Sequence, residues 1–347
     1  VTPEQFGAKG DGVTDDSAAL QNAINSLVPG NTLLLSGTYA HNKVITVAVA
    51  GVTISGTGTL LATNEQYSAV FINADNVTVT GINLKMQYTT KRWVAYEQMK
   101  LRLGSKTGIK VSNITIDGSA AAGLYVGGSS NFTISDVVIS NTRADALHMT
   151  EGANFGTVSR VTANNPGDDG VAVVSYNGSG LCHDITIDSP RQVGQLWGRG
   201  FSVVGGDRIT YRNIYSDHSN AAAVYIAAEP SYNTYASSNV LVDGGTIQYA
   251  NQSATVVHGA VLVYSGQTTL QHDITIQNLT ISNTKQLADI RIVSDNTSTN
   301  VQSNIRYQNI TITGGPSSAY QGNALSSWYN TVSIIKNGVT LPDHIGL

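Results

Sequence analysis

Three aspartates stand where carboxyl chemistry is to be expected. Asp145 immediately precedes the apolar run ALHM, and about two dozen residues later Asp168 and Asp169 immediately precede GVAV. If the chain coils with that period, the three carboxylates meet. Like charges about 5 Å apart repel and raise one another's pKa, so the grouping costs stability unless something compensates it. The same proximity is useful, because a carboxyl kept protonated beside one kept ionised is a general acid next to a general base. A single Asp before a strand is ordinarily a turn residue. Three at one edge break the local rules in the way a functional site does.

The rest of the chain supplies the period. From about residue 31 it becomes a string of short β-branched runs such as VTISG, VTVTG, ITIDG, FTISD and ITIQN. Between them recur GLYV, ALHM, GVAV, GFSV, AVYI and AVLV, starting at residues 123, 146, 170, 200, 223 and 260. A repeat of about 24 residues with loop insertions and no intervening helices predicts a parallel β-helix of about ten coils. In each run the second and fourth residues are apolar, as in Leu124/Val126, Leu147/Met149 and Phe201/Val203, and are expected to face the core. The third residues, Tyr125, His148, Ala172, Ser202, Tyr225 and Leu262, are expected to face out. The residues just before the runs place Asp145, Asp169 and Arg199 in consecutive coils at one edge.

The fold class expected is therefore all-β, as one parallel β-helix domain over residues 1–347. Residues 1–30 form an N-terminal region with a capping α-helix, in which Thr14, Asp15 and Asp16 offer N-cap oxygens and Leu20, Ile24 and Leu27 line one stripe. Residues 31–325 form the coils, and 326–347 a C-terminal coil and tail. Between Gln87 and Lys106 an insertion interrupts the repeat and gathers Lys91, Arg92, Lys100, Arg102 and Lys106 around Trp93 and Tyr96. Charged residues make up only 12 % of the chain, against roughly a quarter in average soluble proteins. A net charge of −4 gives no basic face for nucleic acid, and no run of 18 apolar residues spans a membrane. One cysteine, Cys182, excludes an intrachain disulfide and a thiolate metal cluster. Composition suits a secreted, extracellular protein.

Several segments resemble glycoside hydrolase family 28, the polygalacturonase group, and its relatives of the pectate-lyase-like, right-handed parallel β-helix superfamily. The opening FGAKGDGVTDD and the helix after it are similar to that superfamily's N-terminal cap. RADALHM resembles the NTDGIHI-type segment and PGDDGVAV the GDDCIAI-type segment, while GRGFSV stands where the family has GHGISI. The resemblance implies that Asp168 protonates the departing glycosidic oxygen. Asp145 and Asp169 then hold and deprotonate a water on the opposite face, giving inversion in one displacement. The implied partner is a plant or microbial polysaccharide or oligosaccharide, with no metal and no cofactor; a monomer is expected, or a trimer if the chain is phage-derived. Candidate substrate-binding residues are His148, Arg199, Arg143, Trp197, Tyr225, Tyr176, Trp93 and Tyr96. The sequence departs from the family at Arg143 and Arg199, which replace its Asn and His, and at AVYIAAE, where its uronate-gripping RIK motif is missing. Two other classes stay open: a Ca²⁺-dependent polysaccharide lyase with Arg199 as base, and a glycan-binding β-helix without catalysis, such as a tailspike or adhesin.

Overall fold

The computed structural model describes residues 1–346, so Leu347, the end of the expected tail, lies outside the described residues. The chain forms two compact units, Val1–Met149 with Ala153–Asp168, and Thr150–Gly152 with Asp169 onward. In each unit short parallel strands stack coil on coil, the β-helical arrangement that the repeat predicts. In the first unit Ile45, Val70, Leu101 and Leu124 are successive partners in register. In the second, Val171, Phe201, Val224, Val261, Ile290 and Tyr320 form the corresponding series. Every second side chain of these strands enters the interior, where Leu124, Val126, Val171, Val173, Phe201 and Val203 are buried. Each contributes on the order of 1.5–3 kcal/mol by leaving water.

The longer strands turn a corner within themselves. Between Lys110–Ser119, Thr133–Thr142 and Asn154–Asn164 the pairing passes from Ser112, Ser135 and Ser159 to Ile114, Val137 and Val161. The skipped residues, Asn113, Asp136 and Arg160, have φ of 52°, 55° and 51°. One left-handed residue per coil swings the chain from one face to the next, and Asn and Asp tolerate that conformation best. Arg160 is held there by Asp136 through bonds of 2.6 and 2.9 Å.

The helix spans Ser17–Asn25, and its Leu20 and Ile24 line an apolar interior with Leu33, Ile45, Ile54 and Val79. Leu27 lies past the helix end yet is buried. Of the three expected cap oxygens only Asp15 serves, taking the Ser17 N–H at 3.2 Å. Asp16 instead accepts the N–H groups of Lys9 and Gly10, at 2.7 and 3.0 Å.

Two expectations need correction. The interruption is shorter than Gln87–Lys106, because Leu101–Leu103 is a coil strand paired on both sides. Its LRL alternation is the pattern of the other runs, masked in the sequence by neighbouring cations. Lys100, counted there among the cations of the insertion, is therefore buried. The outward positions Tyr125, Ala172, Ser202, Tyr225 and Leu262 are also buried. Other segments cover them: Tyr176, Tyr264 and Val293 pack over Ala172, Val204, Tyr225 and Leu262, and Met99 packs by Tyr125.

Lys100 Nζ donates to Ser68 O at 3.2 Å and stands 3.3 Å from His41 Nε2. The His41 Nδ1–H must donate to Lys43 O, 2.8 Å away, which leaves Nε2 as the acceptor. Burial pushes Lys100 down to about 7, and burial together with the Lys100 charge pushes His41 down to about 3. Unfolded chains hold a proton on Lys100 that the folded protein has released between pH about 7 and about 10.5. Stability should therefore climb by a few kcal/mol across that window. Urea denaturation at stepped pH checks this, and Lys100→Met should flatten the climb.

At the far end of the second unit, Lys336 Nζ pairs with buried Asp289 Oδ2 at 2.6 Å, and Thr284 donates to its other oxygen at 2.6 Å. Lys336→Met leaves a buried carboxylate without its cation and should cost about 3–5 kcal/mol in the same assay.

Candidate active site

Asp145 and Asp168 belong to the first unit. The Asp168 N–H donates to Ala144 O at 3.2 Å, which sets Asp168 one coil on from Asp145. Gly167 permits this approach, since a Cβ there would stand 2.4 Å from Thr142 O. Asp145 is buried, and its Oδ2 lies 2.6 Å from His148 Nδ1. The His148 ring stacks on Tyr125 at 5.5 Å, and Tyr125 meets the edge of Tyr96 at 5.8 Å. Arg102, on the register position of Tyr125, places its guanidinium 4.0 Å from the Tyr96 ring. His148 is thus fixed in one orientation from behind while it holds Asp145 in front.

The shortened insertion supplies a partner for Asp168. Arg92 Nη1 donates to Asp168 Oδ2 at 2.6 Å. Arg143 points into the same insertion: its Nε and Nη2 donate to Thr89 Oγ1 and O at 2.6 and 2.8 Å, so it anchors the segment that carries Arg92. Trp93 is half-buried with Lys91 Nζ 4.1 Å from its ring, and Tyr96 is exposed. Arg92 is a site contact that sequence reasoning did not single out from the other cations of the insertion. Its only signal is membership of a basic loop, and nothing in the repeat says which cation reaches the carboxylate.

Asp169, the residue that follows Asp168 in the chain, belongs to the second unit. Asp169 is buried and takes donors on both oxygens, the Arg199 N–H at 2.8 Å on Oδ1 and Ser202 Oγ at 2.5 Å on Oδ2. The Arg199 side chain lies between two carboxylates, with Nε 3.4 Å from Asp169 and Nη2 3.3 Å from Glu229. Tyr225 donates to Glu229 Oε1 at 2.8 Å, and the Arg199 guanidinium lies 4.2 Å from its ring. Burial, and then the Glu229 charge, hold the Tyr225 hydroxyl well above its ordinary pKa. Tyr225 is thus a buried strut of the site. Tyr176 is half-buried against the apolar cover, whereas Trp197 is 50 % exposed beside Leu196 on the loop before Arg199. Ser202 was legible as an outward residue of its run; Glu229 and His258, which stacks on Tyr225 at 5.3 Å, lie in loops that no period locates.

Carboxylate oxygens are hard ligands of the kind Ca²⁺ takes. Within each unit, however, these carboxylates already have close neighbours: His148 on Asp145, Arg92 on Asp168, and Ser202 with the Arg199 N–H on Asp169. The arrangement suits proton transfer better. Two buried carboxylates are fixed by neighbours, and a third, only partly buried, meets a cation from a surface segment.

Comparisons place this fold among known proteins. A capsule K30/K69-specific depolymerase of Klebsiella phage K64-1 is 30 % identical over 157 residues, which covers 38 % of this chain and 20 % of that protein. The chain thus spans about a fifth of the length of that relative. The catalytic unit of a family 87 α-1,3-glucanase from Streptomyces thermodiastaticus superposes with a TM-score of 0.73 at 19 % identity, covering 97 % of this chain and 68 % of that one. An exopolygalacturonase from Thermotoga maritima gives 0.67 at 14 % identity, covering 99 % and 93 %. At these identities the likeness is one of fold. The chain belongs to the rhamnogalacturonase A/epimerase, pectate lyase-like family, whose match over residues 3–224 takes in Asp145, Asp168, Asp169 and Arg199.

Proposed function

We propose that the chain is a glycoside hydrolase that cleaves a polysaccharide outside the cell, with Asp145, Asp168 and Asp169 as its catalytic groups. The observation that carries this reading is the stacking of carboxylates, with Asp168 one coil on from buried Asp145 and Asp169 next to it in the chain. Asp168 acts as general acid on the leaving glycosidic oxygen, and Arg92 must yield its place when that oxygen arrives. Asp145, held by His148, and Asp169, held by Ser202 and the Arg199 N–H, position a water and take its proton. The two carboxylates that hold the water work on the face of the sugar opposite the leaving group, so its attack inverts the anomeric centre. Trp197, exposed on the loop before Arg199, and Tyr96 offer stacking faces for sugar rings. The phage relative, whose name assigns it to capsules, favours a microbial surface polysaccharide as substrate.

Asp168→Asn should lose about 10²–10⁴-fold in turnover while keeping glycan affinity. A screen of plant, fungal and bacterial polysaccharides with reducing-end detection, followed by NMR of the first product anomer, tests the rest. Inverted product is expected. Retained configuration would overturn the single displacement, and an unsaturated, ultraviolet-absorbing product whose formation EDTA abolishes would replace hydrolysis by elimination.

A further inference from the structure

Arg291, in the second unit, is a half-buried cation that forms no ion pair among the described residues. Its Nη1 donates to Val257 O at 2.8 Å, and its Nε is buried with no partner. Its Cδ lies 3.2 Å from where a Cβ on Gly259 would stand, so the side chain runs along the Val257–Gly259 backbone. Between those residues is His258, whose Nδ1 is likewise buried without a partner. Arg199, near the Tyr225 ring on which His258 stacks, is compensated by Asp169 and Glu229. The carboxylate two residues before Arg291, Asp289, is committed to Lys336 and Thr284. Charge taken out of water without a counter-charge is costly, and so is each unsatisfied donor. Both costs concentrate at Arg291 and His258, and one ligand group would relieve both: a carboxylate, whose two oxygens match the guanidinium fork.

We propose that Arg291 and His258 form a subsite for a carboxylate carried by a sugar of the bound glycan. The inference rests on the reading that a glycan is the ligand, and it adds the chemical class of one of its units. Ser202, Tyr225, Leu262 and Arg291 are register partners in successive strands. Three steps of about 4.8 Å put Arg291 roughly 14 Å from Ser202, the residue that holds Asp169. The acidic unit therefore binds a few sugars away from the bond that is cut. Burial, then Arg199 and Arg291, keep His258 neutral, near a pKa of about 4. A bound carboxylate beside it must raise that value.

The carboxylate can come from a uronic acid or from an acidic substituent such as a pyruvate ketal. Imidazole ¹⁵N NMR of the full chain, titrated with methyl glucuronoside, the 4,6-pyruvate ketal of methyl galactoside, and neutral methyl glucoside, tests the site and identifies the source. At least one acidic glycoside should shift the His258 signals and raise its pKa, while methyl glucoside leaves both unchanged. Arg291→Gln should weaken the response at least tenfold, and Arg291→Lys, which keeps the charge, should retain part of it. No response to either acidic glycoside, an equal response to methyl glucoside, or an unaltered response in Arg291→Gln overturns the subsite. Running Asp168→Asn in the same titration separates the two readings. Carboxylate binding without cleavage of any polysaccharide by the unaltered chain defeats the hydrolase alone; cleavage without a carboxylate response defeats the subsite alone.

Discussion

The coil-to-coil hydrogen-bond ladder fixes nearly everything else, because it sets each side chain beside the residue about one period away rather than beside its sequence neighbours. In such a solenoid a coil is stabilised chiefly by the coils that flank it. What stacks on what then decides the energy of each position. Inside, aliphatic residues meet aliphatic residues. Outside, the ladder turns identical positions into amide and ion stacks, as where Asn309 donates to Asn278 and Asn278 to Asp243, each at 2.6 Å. Opposite charges are used in the same way, Arg208 meeting Asp184 at 2.8 and 2.9 Å one coil away. Asp145 with Asp168 one coil on is the exception, since like meets like.

Other buried ionisable groups are compensated unequally. Asp289 has the ammonium of Lys336, whereas Lys100 and half-buried Arg291 meet only neutral acceptors. The aspartate site is held differently. Among its neighbours are an imidazole, a hydroxyl and a backbone N–H, with the Arg199 guanidinium 3.4 Å from Asp169 and the Arg92 guanidinium reaching Asp168 from a surface segment. Weak, removable compensation keeps a carboxylate able to exchange a proton; an ammonium pressed against it in the core would not.

Much of this was legible in the sequence. Aligning GVAV, GFSV, AVYI and AVLV by their apolar residues yields the partners Val171, Phe201, Val224 and Val261 that the strands form. It also sets Asp168 one coil on from Asp145, because period and pleat are local properties of the chain. What covers the outward face was not legible. Tyr225 read as an outward residue, yet loops distant in sequence bury it, and the partners that give it a role, Glu229 and His258, lie outside the period. Lys100 was misplaced for a related reason: its charge suggests a loop, while the backbone pairing of Leu101 with Val70 and Leu124 draws it inside. Arg92 carries no period at all, and only the fold of its segment onto Asp168 distinguishes it from Lys91.

The burial of the three aspartates is itself an argument about their division of labour. A general acid must touch the leaving oxygen of a polymer, so its carboxyl has to be reachable from the surface. A residue that only orients water has no such need, and gains from burial because a fixed acceptor in a low-dielectric setting aligns water more strongly. Asp145 and Asp169 are 7 % and 4 % exposed, whereas Asp168 is only partly buried and faces Arg92. The carboxyl proposed as the acid is thus the most accessible of the three. On the proposed mechanism the mobile proton belongs at Asp168, and the water belongs with the two buried carboxylates.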